Sequence, residues 1–416
     1  MLVDLLNLES AGRILQKQLP QLHGHAVELS LRDVWLRDDW SVQYQLQFNG
    51  GSYLLTALKA TSGDFEAMEQ RVRRQAERTE LGGLIASLPK ERVLIFPFPL
   101  DPKIKRLSRM ADSGQVTRKM REYLPSATLS ETCVIEALRY IPGKRCQMAF
   151  HWNGFSVLGK MFRDDRGLGL YDDMRRVREV FAACGDPELI APRALGYVPE
   201  WCMVLQEMLP GKTLYDLMLE GAATKHHMIA AARSLAVLQH SSIQPTGTHA
   251  MAAELALIQK CTNDLRSVDE YNCDFAEVYE QIEQKAAHAG SGPLVPVHRD
   301  FYDKQLIHNG SQTALIDLDT LAWGHSEIDA ANFAAHLRLR SLQGFASVAD
   351  AELWSEWFLE QYHRLAAKAV NEELLRFYSA TVYFRLACKN RLREDGDRAS
   401  GELLKLAAQC FSRAMA

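Results

Sequence analysis

At Pro210-Gly211 the patterning of this 416-residue chain changes. From about residue 129 up to that point, short runs such as "ETCVIEALRYI", "CQMAFHW", "FSVLGKMF" and "WCMVLQEML" are divided by turn residues and read as strands. One helix lies among them, "YDDMRRVREVF", marked by the spacing of Met174, Val177, Val180 and Phe181. Beyond the break the spacing becomes helical. In "HHMIAAARSLAVLQ" the residues Ile229, Ala232, Leu235, Ala236 and Leu238 trace one face, and "AELWSEWFLEQYHRLAAKAV" and "LLRFYSATVYFRLACKNRL" are further long helices. Only residues 295–320 interrupt this half with strand-like runs. Strands gathered before a break and helices after it predict an α+β chain, a small sheet-rich lobe followed by a larger helical one.

Residues 1–125 precede both lobes and read as an additional α/β cap region, so the expected organisation is a cap over 1–125, a sheet lobe over 126–209 and a helical lobe over 210–416. Within the cap, "WSVQYQLQFNGGSYLLTALKA" predicts a hairpin, because Asn49-Gly50 supplies the positive φ angles of a tight turn. Its order of strand, Asn-Gly, strand and lysine is echoed in "CQMAFHWNGFSVLGKMF"; duplication and two converged hairpins both account for this. The composition, 47% hydrophobic and 24% charged, is that of a globular protein. A net charge of -4 with both signs interspersed marks no broad nucleic-acid or membrane surface, so an anion must be held locally. No apolar run approaches the roughly 18 residues of a membrane span. Asp4 and Glu9 occupy the stretch where a signal peptide needs its basic start and apolar core, and a cytoplasmic location is expected. None of the eight cysteines forms a CxxC pair, which predicts reduced, mostly buried thiols. The oligomeric state is not written in the sequence.

The chemistry is concentrated in the segment that interrupts the helices. "VHRDFYDKQLI" carries Asp300 and, five residues later, the amide of Gln305; "ALIDLDTL" then carries Asp317 and Asp319 at the end of an apolar run. Phosphoryl transfer needs the nucleotide's charge neutralised, its metal ions held and an acceptor hydroxyl aligned. Magnesium takes carboxylate and amide oxygens, which Asp300, Gln305, Asp317 and Asp319 supply. A lone loop aspartate is an ordinary helix cap; the order and remove of the acids favour the functional reading here. Asp319 reads equally well as a second metal contact or a solvated loop carboxylate. His298 reads as a structural residue that sets the loop, and Arg299 as a partner for a neighbouring carboxylate.

The sheet lobe supplies counterparts. In "IPGKRC", Gly143 lets backbone amides fold over phosphates. Lys160, between apolar neighbours on the third strand, is placed as a point charge for the phosphates, with Lys59 as a rival. A carboxylate is needed to hold it; Glu179 in the following helix is the best placed, with Asp172, Asp173 and Glu188 nearby. The stretch "VLQEML" reads as the link between lobes, its backbone from Glu207 to Leu209 pairing the adenine edge.

From about residue 129 to 340 the chain resembles the aminoglycoside phosphotransferase and choline kinase-like family, small-molecule kinases of protein-kinase-like, bilobal fold. His298, Asp300 and Gln305 fall on that family's His-x-Asp-x-x-x-x-Asn loop, and Ile316, Asp317, Leu318 and Asp319 on its Ile-Asp-x-Asp/Glu. "SEIDAANFAAHL" is similar to the helix start that follows. The resemblance implies that Asp300 is the catalytic base, Gln305 and Asp317 are magnesium ligands, Lys160 grips the phosphates and Asp329 braces the loop. Gln305 stands where the family has asparagine, the nucleotide loop has a single glycine, and Gln239 replaces the histidine of Leu-Ala-x-Leu-His. The expected function is ATP- and magnesium-dependent phosphorylation of a hydroxyl on a small molecule, in the order sugar, amino sugar or aminoglycoside. The alternative is a nucleotide-binding pseudokinase that acts through protein partners.

Overall fold

The computed structural model describes residues 1–36, 40–60, 65–77, 79–125, 129–268, 270–287, 292–366, 369–393 and 396–412. The chain divides into two compact units, Met1–Tyr171 with Ala194–Met208, and Asp172–Arg193 with Leu209–Ala416.

The first unit opens with α1 (Leu2–Leu6) and α2 (Leu8–Gln18), followed by β1 (Glu28–Trp35), β2 (Ser41–Phe48) and β3 (Gly51–Lys59). After α3 (Phe65–Ala76) come β4 (Ala86–Leu88) and β5 (Val93–Pro97), completing an antiparallel sheet of order β1-β2-β3-β5-β4. Asn49 and Gly50, at φ 48 and 71, close the β2–β3 hairpin with Phe48 opposite Gly51. The continuous apolar run of β5 is explained by burial on both faces. Val93 and Ile95 join Leu5, Leu15 and Tyr44 on one side, while Leu94 and Phe96 join Phe65, Met68 and Val72 on the other.

Next, α4 (Ser113–Met120) leads to β6 (Val134–Ile141), β7 (Arg145–Trp152) and β8 (Phe155–Phe162). The unit boundary falls within α5 (Gly167–Ala183); β9 (Leu189–Ile190) belongs to the second unit, and β10 (Ala194–Val198) and β11 (Met203–Glu207) return to the first. This second sheet has the order β10-β11-β8-β7-β6. Its core does not begin at residue 126: Ile104, Leu107, Val116 and Met120 pack in one cluster with Cys146, Met148, Phe150 and Met203. The expected cap boundary itself adjoins residues 126–128, which lie outside the described residues.

In the second unit β12 (Lys212–Thr213) precedes four helices, α6 (Leu214–Leu219), α7 (Lys225–Gln239), α8 (Met251–Arg266) and α9 (Cys273–Ala286). Four short strands follow, β13 (Leu294–Val297), β14 (Leu306–Asn309), β15 (Gln312–Leu315) and β16 (Ala322–His325), and then α10 (Glu327–Leu342), α11 (Val348–Leu365), α12 (Glu372–Arg391) and α13 (Asp397–Ser412). The strands form a sheet of order β12-β14-β15-β9 and a separate antiparallel pair, β13 with β16. Pro210-Gly211, where the sequence changes character, is a point of close backbone approach. Gly211 sits at φ 124, and a Cβ there would lie 2.3 Å from the His308 carbonyl oxygen, so the position admits only glycine without rearrangement.

Among the described residues no helix is long and apolar enough to cross a membrane. All eight cysteines are free thiols, but they are less buried than expected: Cys133, Cys146 and Cys388 are buried, Cys202, Cys261 and Cys410 half-buried, and Cys184 and Cys273 exposed. The exposed pair sits just past the end of α5 and at the start of α9, where a helix leaves its apolar stripe.

Two consequences for stability follow. Phe358 of α11 is fully buried, 4.3 Å from Phe333 and 6.0 Å from Tyr362 between ring centroids, in a stack that reaches Phe301 beside Asp300. Phe358→Ala is expected to cost about 3–5 kcal/mol in urea unfolding. His308 of β14 is 7% exposed, its Nδ1 2.9 Å from the Thr313 hydroxyl. Burial, with His227 and His226 nearby, pushes its ring down to about 3. The unfolded chain therefore binds the proton first as pH falls below the ordinary value of about 6.5, and this stabilisation is present above that pH and lost on acidification towards the folded value. Because pH 5 lies well above the folded value, about 2 kcal/mol of the stability difference between pH 7 and pH 5 is expected to vanish in His308→Leu, read from urea midpoints at the two pH values.

Candidate active site

The loop after β13 is organised by a carboxylate from α10. Asp329, fully buried in the first turn of that helix, accepts the His298 amide on Oδ2 and the Arg299 amide on Oδ1, each at 2.7 Å. Burial raises its carboxyl above the ordinary value, while the His298 ring and the two amides act the other way. Arg299 is held at φ 68. A left-handed conformation costs a side-chain-bearing residue roughly 1–2 kcal/mol, less than two charge-assisted hydrogen bonds at about 1.5–3 kcal/mol each. The strained turn therefore persists, and Asp300 follows it directly.

The segment carrying Asp317 and Asp319 is joined to this loop at three points. His298 donates from Nε2 to the Ile316 carbonyl at 2.8 Å; the Ile316 amide donates to the Gln305 carbonyl at 3.0 Å; the Thr320 hydroxyl donates to the His298 carbonyl at 2.7 Å. His298 is fully buried, and its amide, carbonyl and ring are each engaged. These contacts make its role one of position, and they bring Asp300, Gln305, Asp317 and Asp319 together on two bound segments. Asp317 takes φ 61, the second left-handed non-glycine residue of the site, and such conformations concentrate where function over-determines the backbone. Gln305 is 5% exposed and its Nε2 leans towards Asp300 Oδ2 at 3.5 Å. Asp300, Asp317 and Asp319 are half-buried. Hydrogen bonds thus tie the two acid-bearing segments to one another, while among the described residues no group of three or more His, Cys, Asp or Glu side chains stands placed to hold a metal ion.

The residues expected from the sheet lobe fare differently. Lys160 lies on β8 between Gln147 of β7 and Val204 of β11, and is 4% exposed. Its rival Lys59 ends β3 and donates to the Glu91 carbonyl. Glu179 stands on the exposed side of α5. The spacing that buries Met174, Val177 and Phe181 turns it outward. On the same helix Asp173 is half-buried, and burial raises its carboxyl. Glu207 ends β11 opposite Val157; the first unit stops at Met208 and Leu209 begins the next stretch of the second, so both stand at the connection. Gly143 occupies the β6–β7 turn at φ 65, but its amide donates to Asp101 Oδ2 at 2.8 Å. Of the loop amides expected to fold over phosphates, that of Gly143 is therefore engaged by Asp101.

Two charged sets and one neutral amide contact near the site escaped the sequence reading. Arg340 of α10 grips Asp303 through two bonds of 2.6 and 2.9 Å, both residues buried, and its guanidinium lies 4.6 Å from the Tyr215 ring centre. Asn332 donates to the Phe301 carbonyl at 2.9 Å. Glu254, 1% exposed, meets His249 at 2.8 Å and Arg385 at 3.1 Å; against burial, which raises it, Arg385 and His249 hold its carboxyl at about 2. The signal available was weak: Arg340 and Asn332 lie on the helix begun by "SEIDAANF", facing the same side as Asp329 at helical spacings.

Residues 156–372, more than half of the chain and including Lys160, Asp300, Gln305, Asp317 and Asp329, match the model of the phosphotransferase enzyme family. Two solved structures illustrate the fold. A choline/ethanolamine kinase family protein from Mesorhizobium loti, 11% identical, superimposes with a TM-score of 0.52 over 72% of this chain and 95% of its own. A choline kinase from Cryptosporidium parvum Iowa II, 12% identical, gives 0.51 over 72% and 96%. Comparison with curated proteins gives no match. The fold is the protein-kinase-like α+β fold of small-molecule kinases. The chain belongs to the phosphotransferase enzyme family, whose members transfer a phosphoryl group to a hydroxyl.

Proposed function

We propose that this kinase transfers the γ-phosphoryl group of ATP, with magnesium, to a hydroxyl of a small polar acceptor, a sugar ahead of an amino sugar or an aminoglycoside-like molecule. The observation that carries the reading is the triple junction between the Asp300 loop and the Asp317 segment, through Ile316 with His298 and Gln305 and through Thr320 with His298. Asp300 orients the hydroxyl and takes its proton, as a half-buried carboxylate on a braced loop is suited to do. Gln305, Asp317 and Asp319 fit magnesium by chemistry: they offer hard oxygen donors, and magnesium completes its shell with phosphate oxygens and water. With Nε2 of Gln305 turned to Asp300, its Oε1 faces elsewhere and is the atom for a cation. When bound, the metal neutralises charge on the nucleotide phosphates. Lys160 serves as the point charge for those phosphates, with Glu207 and Leu209 beside the base.

A sugar is placed first because aromatic faces border the loop. Tyr302 stacks on His336 at 4.4 Å, and Lys304 and Arg340 lie over Tyr215 at 4.0 and 4.6 Å. Lys304 on that aromatic wall does not suit a polycationic acceptor.

An acceptor panel run with magnesium and ATP tests the assignment. Asp300→Asn is expected to lower turnover by about 10²–10⁴-fold while ATP affinity, measured by calorimetry, stays within about threefold. If the unaltered chain phosphorylates no acceptor faster than this variant, ATP binding without transfer replaces the proposal. Chelation of magnesium is expected to abolish turnover. In Asp317→Ala the magnesium concentration for half-maximal rate should rise at least about tenfold, the loss of one charged ligand. An unchanged magnesium titration would remove Asp317 from the metal site.

A further inference from the structure

The segment just before α4 contains a carboxylate with no solvent exposure and four donors. Asp101 Oδ1 accepts the Lys103 and Ile104 amides at 2.7 and 2.6 Å, which fixes the side chain within its own segment. Oδ2 accepts the Tyr140 hydroxyl at 2.6 Å and the Gly143 amide at 2.8 Å, both from the β6–β7 hairpin. The hairpin turn is Ile141-Pro142-Gly143-Lys144, closed by the Lys144 amide on the Ile141 carbonyl at 3.1 Å with Gly143 at φ 65. A turn with proline followed by a positive-φ glycine leaves its central peptide outside its own hydrogen bond, and that peptide needs an external partner. Asp101 is the partner. Because N–H and C=O of a trans peptide point in opposite directions, the contact also decides which way the Pro142 carbonyl faces. Lys103 lies against the same turn: a Cβ on Gly143 would meet its Cδ at 3.0 Å.

We infer that Asp101 is a positioning residue for nucleotide binding: its carboxylate holds the Pro142-Gly143 peptide in one orientation, so that the N-terminal region shapes the turn that covers the nucleotide. This rests on the proposed kinase reading and on the sequence expectation that the "IPGKRC" loop, the β6–β7 turn, folds over the nucleotide phosphates. A buried carboxylate is costly unless fully paired, and here half of its pairing is supplied by the hairpin that carries the turn. The arrangement gives residues before the sheet lobe a function in the lobe, as a rigid support behind a turn that in isolation has two peptide orientations.

The test uses the full chain with Asp101→Asn and Tyr140→Phe, magnesium ATP as the probe, affinity from calorimetry, and thermal unfolding without nucleotide. In the asparagine variant an NH2 group faces one pair of donors whichever way the amide turns. Either the Gly143 amide loses its acceptor or the side chain loses its own anchor. Affinity for magnesium ATP is expected to fall about tenfold in Asp101→Asn, and about two- to threefold in Tyr140→Phe, where the charge and the Gly143 contact remain. A lowered unfolding temperature with unchanged affinity would make Asp101 merely structural and overturn the inference. If Asp101→Asn does not fold, unchanged affinity in Tyr140→Phe overturns it and weakened affinity supports it. If the unaltered chain binds no magnesium ATP, the functional proposal and this inference fall together, whereas equal affinity in the unaltered and variant chains removes this one alone.

Discussion

The site depends on one buried carboxylate. Asp329 accepts two consecutive amides, those of His298 and Arg299, and so fixes the backbone immediately before Asp300. Without that double acceptance the left-handed Arg299 would relax, since nothing in its own chemistry favours φ 68. The His298 ring then transmits the fixed position to Ile316, and the Thr320 hydroxyl returns to the His298 carbonyl. A chain of short hydrogen bonds to backbone groups is stiffer than one between long side chains, because few rotatable bonds separate the partners. The backbone that carries the acids at 300, 317 and 319 is positioned by these bonds.

Around this frame the second unit buries further charge against opposite charge. Asp303 with Arg340 and Glu254 with His249 and Arg385 are sheltered from water. Isolated buried charges cost several kcal/mol, and paired ones at best recover that cost; their value lies in specifying geometry. Arg340 anchors the turn between Asp300 and Gln305 to α10, and Phe301 is anchored there twice, by its carbonyl on Asn332 and by its ring against Phe333. One helix therefore sets both ends and the middle of the loop. The first unit uses the same device, with Asp101 paired entirely to neutral donors.

Much of this was legible. The hairpin at Asn49-Gly50, the strands around Lys160 and the long helices after Pro210-Gly211 follow from local periodicity and turn chemistry. The acids of the site were legible because they lie on one short interruption of the helical pattern, where proximity in sequence limits how far apart they can fold. Spacing along the chain does not give partnership. The helical spacing that predicts α5 also turns Glu179 to its exposed side. Gly143 was read for its permissive φ, which the structure has, but the destination of its amide lay with Asp101, forty-two residues earlier.

The sequence by itself determined where sheet gives way to helix, which residues are candidates for the phosphotransfer chemistry and in what order they occur, since periodicity and functional-group type are local properties. Tertiary structure alone decided who holds whom: Asp329 with the His298 and Arg299 amides, Arg340 with Asp303, Asp101 with Gly143. The physical reason is that a hydrogen bond is selected by distance and angle in space, and a buried carboxylate takes whichever donors the packing presents to it.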